Sequence, residues 1–194
     1  SSADFKVGKL SALGTTLDQA SVQLTRKPSA WALQLDSQQA KGSATIPDAK
    51  AAPLVVNLQY VRLPAPDPTV LADENSPDPL ASVDPTKIPA LDITINQLFQ
   101  GNDLVGGWSL KIRPTPKGIA FNSLDMGLKG ILLQGSGGWE GVPGSSTSFF
   151  KGRASGKNLA DVLKGWGFAP SVTSQEFHMD VDGRWPGSPA WLAT

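Results

Sequence analysis

Apolar and polar residues alternate along most of this chain, most clearly near the C-terminus. Between Glu176 and Trp185, the residues Glu176, His178, Asp180, Asp182 and Arg184 share one parity. Phe177, Met179, Val181 and Trp185 share the other, with Gly183 among them. Successive side chains of a strand point to opposite faces, so the segment reads as a strand with one wet and one apolar face. The same signature returns at Val22/Leu24, Trp31/Leu33/Leu35, Val56/Leu58, Leu91/Ile93/Ile95, Trp108/Leu110/Ile112 and Ile119/Phe121. An all-β chain is predicted, with half-buried strands contributing to one apolar surface. What covers that surface decides the function.

Turn chemistry punctuates the pattern at Gly14, Lys27-Pro28-Ser29, Gly42, Pro47-Asp48, Gly101-Asn102-Asp103, Pro114-Thr115-Pro116-Lys117-Gly118 and Gly135-Ser136-Gly137-Gly138. With no helices between strands, the spacing predicts mainly antiparallel neighbours within a single segment, residues 1–194.

Two stretches break the alternation. Residues 64–90 carry Pro64, Pro66, Pro68, Pro77, Pro79, Pro85 and Pro89 among the acids Asp67, Asp73, Glu74, Asp78 and Asp84. Proline cannot donate to a ladder, so this reads as an extended surface loop, dispensable for folding. The alternative, a polyproline ligand for a partner, lacks a basic or aromatic anchor. The second break, residues 158–166, reads as a short amphipathic helix. Asn158 is placed to cap it, Asp161 stands at the capping-box position, and Gly165 is placed to end it. Leu159, Val162, Leu163 and Trp166 form its apolar face, which packs on the sheet or, alternatively, serves as a groove lid or membrane-touching wedge.

Composition acts by exclusion. Seventeen basic and seventeen acidic residues give a formal net charge of +0, and no Lys/Arg block exists, which argues against nucleic acid and a polybasic membrane contact. The absence of cysteine removes disulfides and thiolate metal sites. No apolar run approaches the 18 residues of a membrane-spanning helix, and the first residues lack the form of a signal peptide. Strand pattern around Phe5-Lys6-Val7 and the apolar run at Ala190–Thr194 suggest a piece of a longer β-repeat protein. Its exposed edges would favour edge-to-edge self-association.

Catalytic chemistry is missing from the pattern. The single histidine, His178, shares a polar strand face with Glu176, Asp180 and Asp182. A solvated face explains these better than a cation site, which needs convergent ligands and a second shell. Ser136 lacks the glycine required two positions before it for a nucleophile elbow, where Gln134 stands. Gly135 and Gly137 begin like a dinucleotide loop, but Glu140 occupies the third glycine position. Asp180 and Asp182 lie about 6.6 Å apart along a strand, yet an exposed strand face is not a glycosidase cleft. Neither an enzyme nor a cofactor is expected. The tryptophans keep the apolar parity, as core or groove lining.

Several phrases, in order, resemble the YhdP branch of the AsmA-like proteins of Gram-negative bacteria. They are Asp84-Pro85 through Ile88-Pro89-Ala90-Leu91-Asp92-Ile93, Gly107-Trp108-Ser109-Leu110 leading to Arg113-Pro114-Thr115-Pro116-Lys117-Gly118, and Gly138-Trp139-Glu140. The helix Asn158–Leu163 with Trp166-Gly167-Phe168 and the phrase Trp185-Pro186-Gly187-Ser188-Pro189 follow. They cover about the second half of the chain; residues 1–60 match only in style.

The resemblance implies a periplasmic protein anchored in the inner membrane, whose elongated, twisted, U-shaped open sheet encloses a hydrophobic groove. It implies a bridge that moves phospholipid between inner and outer membranes, with acyl chains as partners of the apolar face. The candidate groove residues are Leu33, Leu35, Leu58, Ile93, Ile95, Leu110, Ile112, Phe121, Met179 and Val181. The alternative is a structural or assembly scaffold for outer-membrane proteins, built as a closed β-sandwich or working by strand addition.

Overall fold

The computed structural model describes residues 2–12, 15–65, 78, 80–165, 167–169 and 174–189, with side chains from Ala20 onward. The Gly14 turn, Trp166, residues 66–77 of the Pro-rich stretch and residues 190–194 lie outside the described residues. The chain is all-β and mainly antiparallel, with one short helix. Its strands are β1 (Ser2–Ala12), β2 (Thr15–Lys27), β3 (Ala30–Asp36), β4 (Ala40–Pro47), β5 (Leu54–Leu63), β6 (Leu91–Gln100), β7 (Asp103–Thr115), β8 (Gly118–Leu128), β9 (Ile131–Val142), β10 (Ser145–Lys157) and β11 (Glu176–Pro186). Strand order follows chain order, and the sheet is open.

Two compact units divide the chain: Ser1–Pro66 with Ala90–Ser109, and Asp67–Pro89 with Leu110–Thr194. In the first, β1 to β5 pair antiparallel, with the ends Lys27-Pro28-Ser29 and Pro47-Asp48 turning as their chemistry predicts. Arg26 fixes this end with two parallel hydrogen bonds to the Asp48 carboxylate, at 2.6 and 2.7 Å, while its guanidinium lies 5.3 Å from the Trp31 ring centre. The hydrogen-bonded pairing raises the Arg26 pKa and lowers that of Asp48.

One pair departs from expectation: β5 and β6 are parallel, from Leu54 opposite Leu91 to Leu63 opposite Gln100. A parallel pair needs a connection long enough to return to the starting end. Residues 64–90 are that connection, which accounts for their length. The described end of this segment is docked. A 3-10 turn at Pro85–Lys87, capped by the Asp84 carboxylate, packs on β8 and β9 within the second unit, and Pro85 is fully buried. The proline pattern carries no information about this docking.

The second unit is an antiparallel run of β8 to β11. Gly135-Ser136-Gly137-Gly138 is no turn; it lies inside β9, and Gly42 likewise lies inside β4. The reason is the cross-strand neighbour. A Cβ on Gly135 would meet the Phe150 ring at 2.6 Å and one on Gly152 would meet it at 2.7 Å, so Phe150 lies across the space these paired glycines leave. Helix α1 (Leu159–Gly165) packs on β10 with Val162 buried, the first of the two roles read from its sequence. Its boundaries differ in detail. Asn158 takes a left-handed φ of 54° and its amide donates to the Asp161 carboxylate. Gly167 (φ 82°), not Gly165, follows the helix in the left-handed region, with Gly167 N–H bonded to Lys164 O and Phe168 N–H to Leu163 O in a Schellman pattern.

A closed sandwich core is not what forms. Leu33, Leu35, Leu58, Val22 and Leu24 remain half-buried, and Trp31, Ile46 and Met179 are exposed. A second sheet packed about 10 Å away would bury these side chains. Ala20 and Ala40 with Leu35 against them form one buried patch of the first unit, and Ile95, Leu98 and Val105 are buried as well.

Candidate functional site

Register, more than sequence parity, assembles the apolar surface of the first unit. Directly opposed residues project to the same face. One row therefore runs Val22–Leu35–Gly42–Leu58–Ile95 and the next runs Leu24–Leu33–Ala44–Val56–Ile93. Five predicted groove residues (Leu33, Leu35, Leu58, Ile93 and Ile95) thus share one face across four strands. Ile95 is buried at 9% exposure; the other four are half-buried. The opposite face carries Gln23, Gln34, Asp36, Ser43 and Asn57.

The second unit has two faces of the same kind. Its apolar rows are Phe121–Gly137–Phe150–Gly183, Leu124–Gly135–Gly152–Val181 and Met126–Leu133–Ala154–Met179. A bulge between Phe121 and Leu124 keeps β8 in phase with its neighbour. Phe121, Val181 and Met179 are therefore on one face, and Met179 is 57% exposed. Leu110 and Ile112 share a side of β7 in this unit, half-buried and buried, with exposed Lys111 between them. A fourth row, Ile119–Trp139–Ser148–Trp185, is nearly sealed: Ile119, Trp139 and Ser148 are at most 3% exposed, alongside β8 and β9 where the 3-10 turn packs.

The other face of this unit is ionic. Lys151 pairs with Asp182 at 3.4 Å, Arg153 with Asp180 at 3.1 Å, and Arg184 lies 5.2 Å from the Phe149 ring centre. His178 sits 3.5 Å from Glu176, both exposed. These are solvated neighbours. Among the described residues no cluster of His, Cys, Asp and Glu has metal-binding geometry.

Each unit carries a concavity among its described residues. The first, about 770 Å³, is lined mainly by the polar face of the first unit, with Leu35 and Leu58 the only predicted groove residues touching it. The second, about 430 Å³, has Phe121, Phe149 and Phe150 in its wall. Sequence parity does not show the first, whose lining takes in the register shift where Gly42 faces Leu58. The family model described as "YhdP protein" matches residues 1–193. The chain belongs to the YhdP family. No curated protein and no solved structure matches it. Among the described residues, no helix of this YhdP-family chain is long and apolar enough to cross a membrane.

Proposed function

We propose that this chain is a phospholipid-binding segment of a periplasm-spanning bridge between inner and outer membranes, contributing to outer-membrane lipid balance and barrier function. The observation that carries the reading is the pair of apolar rows in the first unit. They set leucines, isoleucines and valines side by side across five strands, most of them only half-buried. The resemblance and the family membership support an envelope setting and a lipid cargo. Acyl chains suit such a face: each buried methylene contributes about 0.8 kcal/mol without a directional contact. Affinity then grows with chain length while head-group discrimination stays weak, which suits a conduit that must also release its cargo. The half-buried aliphatic face supports this reading over catalysis, because it presents no nucleophile or acid-base pair.

The test is photocrosslinking from single unnatural residues after purification from membranes, with native mass spectrometry of the same samples. Phospholipid adducts are expected from positions 58, 110 and 179, with far fewer from 180 and 182. Equal adducts from both faces would overturn the groove assignment. Complete absence of co-purifying lipid would return the reading to a scaffold.

A further inference from the structure

The polar face of the first unit differs from that of the second in a way that solvation alone does not require. Five carboxamides, Gln23, Gln34, Asn57, Gln59 and Asn96, join the hydroxyls of Ser21 and Ser43 around the cavity of about 770 Å³. The only charges in its wall, Asp36 and Lys41, neutralise each other at 2.7 Å, a pairing that raises the Lys41 pKa. On the corresponding face of the second unit, polarity is instead supplied by ion pairs and Arg184.

The concavity is built into the backbone. Where Lys41 faces Tyr60 and the next residue, Gly42, faces Leu58, Gln59 is the extra residue of a bulge in β5, and bulges sharpen local twist. Gly42 is required beside that bulge: a Cβ there would lie 2.2 Å from the Asn57 carbonyl oxygen. The register then sets Gln23 opposite Gln34, Gln34 opposite Ser43, and Ser43 opposite Asn57. This is a cross-strand ladder of neutral groups in strands where Asn is otherwise disfavoured. Among the described residues, none of the five carboxamides spends its hydrogen bonds on another side chain. Each carboxamide offers two N–H donors and an acceptor oxygen. The cavity is within the size range of sites for small ligands.

We propose that this cavity binds a neutral glycan, specifically a chain of N-acetylated amino sugars. Such a ligand presents hydroxyls and secondary amides, which both donate and accept and carry no charge. A wall of carboxamides and hydroxyls, with Leu35 and Leu58 between them and its one ion pair closed on itself, matches that chemistry. An anionic ligand would meet no unpaired cation in the wall, and an apolar one would strand five carboxamides. The carboxamides belong to the face opposite the aliphatic rows, while Leu35 and Leu58 of those rows also reach the cavity wall and would meet the apolar face of a sugar ring.

The experiment follows the side-chain amide signals of the whole chain by NMR during titration with tetra-N-acetylchitotetraose. Saturable shifts are expected on the Gln23, Gln34, Asn57 and Gln59 amides, with the Trp108 and Trp139 indole signals unmoved. Gln34→Glu with Asn57→Asp keeps the side-chain size but removes two N–H donor pairs, and should weaken binding at least about tenfold. If that double variant loses its folded spectrum, Gln59→Glu alone must weaken binding about threefold or more. No saturable shift up to about 20 mM glycan would overturn the proposal, since affinity weaker than that amounts to less than about 2.5 kcal/mol. Equal shifts with glycerol at matched hydroxyl concentration, or undiminished binding by folded variants, would overturn it as well. Lipid content measured on the same samples reports the proposed function separately.

Discussion

Asp78 and Ser188, 110 residues apart in sequence, are joined twice. The Asp78 carboxylate accepts from the Ser188 backbone N–H at 2.7 Å and from its hydroxyl at 2.6 Å. Ser188 is fully buried, and its carbonyl in turn accepts from the Trp185 indole N–H at 3.0 Å. Gly144 N–H bonds Ala81 O nearby, and Ser148 donates to Gly187 O. Within the second unit, the connection between β5 and β6 is thereby latched to the exit of β11.

Breaking this latch should destabilise the second unit. Asp78→Ala removes the acceptor of both hydrogen bonds from Ser188, a loss of about 1–2 kcal/mol for partly exposed, charge-assisted bonds. For a chain this size that corresponds to a fall in Tm of roughly 3–8 °C. Thermal unfolding followed by near-ultraviolet circular dichroism would register it, because tryptophans lie beside the latch. An unchanged Tm would mean that the segment is as dispensable as its proline content suggests.

The same latch should be acid-labile. Burial pushes the Asp78 carboxyl up, but the hydroxyl and N–H of Ser188 and the N–H of Leu80 outweigh it, so its pKa lies below the ordinary value. A depressed carboxylate stabilises the fold above the unfolded pKa of about 3.9, and that contribution disappears as pH falls through the folded value. The Tm gap between the parent and Asp78→Asn should stay constant from about pH 7 to pH 5 and close below about pH 4. A gap that closes near neutrality would point to a different group.

How much of this was legible in the sequence depends on side-chain size. Strands rich in large aliphatics, such as Trp31/Leu33/Leu35 and Leu91/Ile93/Ile95, announce both their existence and their apolar phase. Strands β4, β9 and β10 do not, because Gly42, Gly135, Gly137 and Gly152 stand where a bulky residue would have shown the alternation. Their missing volume is supplied across the strand, by Leu58 opposite Gly42 and by Phe150 over Gly135 and Gly152. Pair information of that kind is absent from any one-dimensional pattern. The parallel β5–β6 pair was hidden for a related reason: strand direction is not written in the alternation of either strand.

The glycine pairs yield their own prediction. A Cβ on Gly152 would sit 2.1 Å from the Gln134 carbonyl oxygen and 2.7 Å from the Phe150 ring. Since backbone cannot retreat as a side-chain tip can, Gly152→Ala should cost about 1–3 kcal/mol, the usual range for overpacking. Gly144→Ala, where nothing lies within 4 Å of the added carbon, avoids the contact and pays only for its φ of 76°. Denaturant unfolding of the two variants should show Gly152→Ala as the less stable, and the reverse order would refute the close packing of Phe150 on this pair.

The apolar rows permit a sharper test of lipid capture than a charge placed anywhere along them. Ile95 is at the buried limit, so Ile95→Asp would place an unpaired carboxylate in packed surroundings and is expected to unfold the first unit. Leu33 and Leu58 are half-buried on the same face, so a carboxylate there can reach water in the lipid-free state. When an acyl chain covers it, that carboxylate must be desolvated at a cost of several kcal/mol. Leu58→Asp and Leu33→Asp should therefore leave the Tm of lipid-free protein within a few degrees of the parent yet reduce co-purifying phospholipid at least about tenfold. Asp182→Asn, which removes an exposed partner of Lys151 on the ionic face of the second unit, should change neither. Loss of lipid in Asp182→Asn equal to that in Leu58→Asp would show that capture does not follow the rows. Full lipid content in a folded Leu58→Asp variant would show that the chains lie elsewhere.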